Sequence, residues 1–177
     1  MICAWELSAT KLLQGAFQWS IQSSALLVGG FILCTIAPLL LTGKLTYRFT
    51  DAFIERLALA ISLVSCVGLF IYGSGDGSVS VLAQTLPYLV SSFVFMNGVT
   101  VPMILPYSHV TKVVKVSEVE KMQNVLSVAG YLARGAGAMI GDLLSPNALA
   151  GLFMGLLSFI LVTNLLLGKR FLPRKVS

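Results

Sequence analysis

The sequence is short of charge. Of its 177 residues, 11% are Asp, Glu, Lys or Arg against 56% hydrophobic, and the mean hydropathy is +0.90. A soluble domain usually carries about a quarter of its residues as charges. So few cannot coat a water-facing surface, but they suffice where lipid is the solvent. Histidine is nearly missing too, with His109 alone. Cys3, Cys34 and Cys66 have no C-x-x-C spacing, and two of them lie inside apolar runs. That argues against a disulfide scaffold or a zinc site and for small buried hydrophobes, with no metal expected. There is no HExxH, no G-x-S-x-G and no nucleotide-binding glycine loop, so neither a membrane enzyme nor a primary pump is expected, and no cofactor. The net charge of +5 does not imply nucleic acid, because the basic residues sit between apolar runs and form no patch.

What is present is a series of apolar runs, each near the length of about 20 residues that a spanning helix needs. They predict an all-α, polytopic transmembrane bundle of about five spans, 24–42, 57–73, 81–106, 120–141 and 149–168, with no separate soluble domain. The segments between them alternate in charge. Lys44, Arg48 and Arg56 follow the first span, Asp76 alone the second, Lys112, Lys115 and Lys121 the third, and Asp142 alone the fourth. The tail, 169–177, carries Lys169, Arg170, Arg174 and Lys175. By the positive-inside rule the C-terminus is expected in the cytoplasm and the N-terminus outside it. Which membrane is involved is left open.

Residues 1–23 hold Glu6, Lys11, Trp5 and Trp19, too polar and too short for a span. No signal-peptide pattern is evident. Tryptophan favours the membrane interface, so this segment is expected to be interfacial, as the possible remnant of a preceding helix. Ser117 and Glu120 form an S-x-x-E capping-box signature before the fourth span. His109, beside Lys112 and Lys115, reads as a solvated loop residue.

Three stretches carry a family resemblance. Gly43, Leu45, Arg48 and Phe49 follow the first span in the order G-x-L-x-x-R-aromatic, with Tyr47 where an acid and Thr50 where a glycine would complete the pattern. Phe17-Gln18-Trp19-Ser20 followed by Ala25-Leu26-Leu27 precedes and opens that span. The fourth span reads Ser127-Val128-Ala129-Gly130-Tyr131-Leu132-Ala133-Arg134-Gly135-Ala136-Gly137-Ala138-Met139-Ile140-Gly141, with Ala138 where the related pattern has proline. Together these resemble the C-terminal half of a major facilitator superfamily transporter. The loop resembles that family's G-x-L-(A/S)-D-R-x-G-R-R, the stretch before the span its F-G-W-S, and the fourth span its eleventh helix. The resemblance numbers the five spans eight to twelve and implies a secondary active transporter of small solutes, as a partial or truncated chain. It also implies an unknown small-molecule substrate, a possible coupling ion, and a missing N-terminal half or a partner subunit beside the lipid bilayer. A non-transporting membrane subunit or scaffold is the alternative.

Several residues stand out within that frame. Gly43 permits a tight helix exit, and Arg48 and Arg56 can cap carbonyl ends or pair with Asp51 and Glu55; with Leu45 they are the gating-loop candidates. Ala133, Gly137 and Gly141 recur every four residues, a stripe that lets another helix approach closely. Arg134 lies about 20 Å beyond Glu120 at about 1.5 Å per residue. A charge at such depth is costly: it snorkels or pairs, with Asp142 or Tyr131 nearest, or it faces a substrate cavity. In the third span Gln84, Tyr88, Ser91 and Ser92 share a face of about 100°, while Asn97 and Thr100 lie elsewhere unless Pro87, Gly98, Pro102 and Pro106 redirect the helix. Interhelical hydrogen bonding and pathway lining both fit these residues. Arg134, Tyr131, Gln84, Tyr88, Ser91 and Asn97 are the substrate-pathway candidates.

Overall fold

A computed structural model of the chain describes residues 1–46, 48–73 and 80–171, without the side chains of 82, 108, 109, 111–113 and 167–171. Tyr47, Asp76, Arg174 and Lys175, and the side chains of His109, Lys112, Lys169 and Arg170, lie outside the described residues. The described residues form helices and no strand: α1 (Ile2–Gly15), α2 (Ile21–Cys34), α3 (Ile36–Leu45), α4 (Asp51–Tyr72), α5 (Val81–Val113), α6 (Val116–Leu143) and α7 (Pro146–Phe171). Four stretches are long and apolar enough to cross a membrane: Ile21–Leu45, Asp51–Tyr72, Ala83–Tyr107 and Pro146–Leu166. They fit an integral membrane protein.

The expected span 120–141 is not among the four. It lies in α6, whose 28 residues run about 42 Å and are ample in length. Composition is what fails: Glu118, Glu120, Lys121, Gln123 and Asn124 crowd its first half, and Arg134 and four glycines dilute the second. The expected capping box is not formed either. Helix α6 begins at Val116 with Lys115 as its N-cap, which places Ser117 and Glu120 already inside the helix.

The expected span 24–42 is divided at Thr35, where α2 ends and α3 begins. Pro38 explains why the division is tolerated. It stands in the first turn of α3, where a backbone N–H has no helical partner to lose. Thr35 donates its hydroxyl to the Ile32 carbonyl at 2.6 Å and so satisfies itself at the break. Helix α4 starts six residues before the expected 57, because Thr50 caps it by accepting from the Phe53 amide at 3.4 Å. Helix α5 runs unbroken through Pro87, Pro102 and Pro106.

The closest helix pair is built on small residues. Gly68 of α4 lies under the Ser91 hydroxyl of α5, and Gly98 of α5 lies under Ser62 of α4, where a Cβ would also come 3.2 Å from the Ala58 carbonyl. Ser62 and Ser65 donate to the carbonyls of Ala58 and Ser62, each at 2.8 Å, so the buried hydroxyls cost little. Helix α7 covers the other side. Phe153 stacks on Phe95 at 5.2 Å, and Arg56 of α4 reaches Asn164 of α7, donating to its side-chain oxygen at 3.3 Å and its carbonyl at 3.0 Å.

Helix α1 gives the largest departure from the sequence reading. Instead of presenting Trp5 at an interface, it enters the bundle: Ala4, Trp5, Ala9 and Leu13 are buried. The Trp5 indole donates to the Ser92 hydroxyl at 3.3 Å, and its ring stacks on Phe31 at 6.1 Å. An indole inside a bundle needs such a partner, and α5 supplies it. The seat of α1 is the small-residue stripe of α6. Gly141 lets the Ala4 backbone approach, and Gly137 faces Ala4 and Cys3. Ala133, the third member, stays exposed at the wall of a cavity.

Lys11 closes this α1–α6 contact from the side, donating to the Asp142 carboxylate and, at 2.9 Å, to its carbonyl. Both side chains are more than half exposed. Lys11→Met is therefore expected to lower stability by less than about 1 kcal/mol, read from thermal unfolding in detergent. A loss several times larger would mean the pair is shielded from water.

Candidate functional site

A cleft opens where α6 parts from α5. Its larger chamber, about 480 Å³, lies between α1, the α2–α3 break, α5 and α6. A neighbouring chamber of about 290 Å³ continues between α5 and α6 past Tyr107, Leu126 and Tyr131. Arg134 and Gly130 line both, so the guanidinium stands at their junction. A Cβ at Gly130 would meet nothing within 4 Å, so its missing side chain widens the cleft.

Arg134 is exposed and sits 5.9 Å from the centre of the Tyr131 ring. That is cation–π range. Of its two expected partners, Tyr131 is engaged, while Asp142 is taken by Lys11. The separation has a helical cause: residue 131 precedes 134 by one turn, whereas Asp142 lies eight residues on, at the end that receives α1.

Across the cavity stands a carboxylate that the sequence reading left unassigned. Glu6 of α1 lines the same chamber as Arg134, 128 residues away in sequence. Glu6 and Arg134 share the chamber without closing on each other, and the Met1 α-ammonium lines it as well, in electrostatic contact with Glu6. Thr35 and Thr100 also line it; each donates its hydroxyl to its own helix, Thr100 to the Met96 carbonyl at 2.6 Å, leaving oxygen lone pairs free. The remaining wall is apolar: Ile32, Met96, Met103 and Ile104.

The polar residues singled out on the third span go elsewhere. Tyr88 is buried edge-on to Phe17 at 5.9 Å and shares a hydrogen bond with Ser92. Ser91 faces α4. Asn97 donates to the Phe93 carbonyl at 2.7 Å, and its side-chain oxygen has no partner among the described residues. Gln84 is half-buried and engaged. Helix α5 thus turns this face to packing and its Met96, Thr100 and Met103 side to the cleft.

At the basic segment, α3 passes through Gly43 and ends at Leu45, so no tight exit occurs at the glycine. Thr46 closes the end instead, donating its hydroxyl to the Gly43 carbonyl at 2.9 Å. Leu45 packs on the cluster of Ile54, Ala58, Val101 and Leu105. Arg48 is exposed, and Arg56 caps a carbonyl of α7 as described above. Before α2, Gln18 holds φ 57°, in the left-handed region that favours glycine. Ser20 then caps α2 by accepting from the Ser23 amide at 3.1 Å.

Fold and site together define an all-helical protein with four candidate membrane-spanning helices and a charged cleft between α1, the α2–α3 break, α5 and α6. No family model matches the chain, and no curated protein or solved structure does either.

Proposed function

We propose that the chain is part of a secondary transporter of small solutes, of the major facilitator type, with the α5–α6 cleft as its solute pathway. Helix α6 carries this reading. It is long enough to cross a bilayer yet too polar to be bathed in lipid, and its Arg134 opens into two chambers. A charged residue at membrane depth belongs beside water, a ligand or a counter-charge. With α6 crossing as well, the spans number five, α2 and α3 counting as one. The alternation of basic segments then puts the C-terminus in the cytoplasm and the N-terminus outside.

In this arrangement the spans take the places of helices eight to twelve, and α1 that of the end of a preceding helix. The left-handed backbone at Gln18 supports the assignment, because the F-G-W-S pattern that this stretch resembles has glycine there. The exposed outer face of α6, with Val125, Val128, Leu132 and Met139, would be covered by the other half of the carrier.

Reconstituted protein tested for uptake of a small-solute panel checks this. Uptake by the wild type is expected to fall at least about tenfold in Arg134→Ala, since a charge-assisted contact contributes about 1.5–3 kcal/mol. Uptake independent of Arg134 would remove the cation from the pathway. Absence of any uptake would favour a non-transporting subunit or scaffold.

A further inference from the structure

We infer that an anionic phospholipid binds along the outer face of α4, its phosphate on Lys44 and Arg48 and one acyl chain running past Phe53, Leu57 and Ile61 into a groove beside α5. The inference needs Asp51–Tyr72 to cross the bilayer and is independent of the solute-pathway reading.

The head end lies at the junction of two candidate spans, Ile21–Leu45 and Asp51–Tyr72, which places residues 46–50 at a membrane boundary. The amides of Arg48 and Phe49 both donate to the Leu45 carbonyl at 2.9 Å, and Leu45 packs inward on Ile54, Ala58, Val101 and Leu105. That anchor leaves Lys44 and Arg48 exposed, and neither side chain makes a hydrogen bond or ion pair among the described residues. Phe49 and Phe53 stack on each other at 5.3 Å and stay exposed. Aromatic rings at a span boundary settle at headgroup level, and basic groups there attract anionic lipid. The nearby acids do not cancel that attraction: Asp51 and Glu55 lie about 160° around α4 from Phe53 at 3.6 residues per turn, away from the patch.

The tail end follows from helix geometry. Phe53, Leu57, Ile61 and Val64 are all exposed and fall within about 80° of one another. From Phe53 to Val64 the helix rises about 17 Å, close to half of the hydrocarbon core of about 30 Å. One acyl chain in the nearer leaflet therefore matches the stripe in length. At the deep end a groove of about 420 Å³ opens, lined by Ala60, Ile61, Val64 and Ser65 of α4 and by Ser91 and Val94 of α5. Ser65 turns its hydroxyl to the Ser62 carbonyl at 2.8 Å, so the wall is mainly apolar. Cations, aromatic pair and apolar groove thus follow one line along α4, in the order of headgroup, glycerol and acyl chain. A soluble phosphate would use only the first of these.

Native mass spectrometry of the full chain in detergent provides the test, with equal amounts of dioleoylphosphatidylglycerol and dioleoylphosphatidylcholine added. The anionic lipid is expected to be retained at least about tenfold over the zwitterionic one, the size of one charge-assisted contact. Glycerol phosphate, which offers the phosphate without acyl chains, should not displace it. Lys44→Gln combined with Arg48→Gln should erase the preference. Lys115→Gln combined with Lys121→Gln, which removes the same charge from another basic segment, should preserve it. Ala60→Phe fills the groove and should weaken retention of both lipids. The wild-type comparison needs no variant, so it decides even if a substitution impairs folding. Equal retention of the two lipids, displacement by glycerol phosphate, or a preference that responds alike to the two double substitutions overturns the inference.

Discussion

Gly141→Val unseats α1 from the bundle and lowers the stability of the detergent-solubilised protein by about 3 kcal/mol, the upper part of the range for overpacking. A Cβ at this position would run into the backbone of Ala4, meeting its carbonyl oxygen and Cα. A clash with a flexible side chain can be relieved by a rotamer change; one with backbone requires a helix to move. Helix α1 has little freedom to do so, because Trp5 is anchored to Ser92 of α5 and Leu13 is fully buried. Gly135→Ala is the control. A Cβ there meets nothing within 4 Å, and alanine favours a helix over glycine by roughly 1 kcal/mol. Thermal unfolding should therefore separate two glycines six residues apart in opposite directions. Equal behaviour of the two would show that the stripe does not seat α1.

Trp5→Ala is expected to cost about 3 kcal/mol, the low end of the range for removing a buried tryptophan. The low end applies because the surrounding bundle is solvated by lipid or detergent: the loss comes from the cavity and broken contacts more than from transfer out of water. Trp5→Phe separates the terms. It keeps much of the ring against Phe31 but deletes the donor to Ser92, and should cost about 1 kcal/mol. Ser92 keeps its bond with Tyr88, which limits that loss. Fluorescence gives an independent readout. In a Trp19→Phe background the remaining indole is expected to resist quenching by aqueous acrylamide, whereas a tryptophan at the membrane interface would be reached readily. Ready quenching together with an unaltered melting temperature in Trp5→Ala would place α1 outside the bundle.

These predictions fall on features that differ in how legible they were. The apolar runs of α2–α3, α4, α5 and α7 declare themselves by composition alone, because lipid admits only long uncharged stretches with internally satisfied backbones. Gly137 and Gly141 could be recognised as a packing stripe from their spacing, but not the helix they receive. Helix α1 was obscured by its own polarity. Glu6 and Lys11 make residues 1–23 read as surface, yet these two charges point to a cavity and to Asp142, while Trp5 and Leu13 turn inward. The α4–α5 contact was missed for a related reason: Ser62, Ser65 and Gly68 are ordinary in an apolar run until Ser91 and Gly98 are set against them.

By itself, the sequence determined the class of molecule: helical, apolar, with short basic segments alternating along it, and one arginine set deep in an otherwise apolar stretch. Hydropathy and charge are additive along a chain, so they survive without coordinates. The candidate site is not additive. Arg134 meets Tyr131 through local helical spacing and was legible to that extent. Its opposite number, Glu6, is brought to the same chamber only because α1 docks on the glycines of α6, an event set by the fit between two distant helices. The same docking gives Asp142 to Lys11 and leaves Arg134 facing the cleft. Tertiary structure decided which charges neutralise each other and which line the cleft, because that choice depends on proximity in space, and no run of neighbouring residues encodes it.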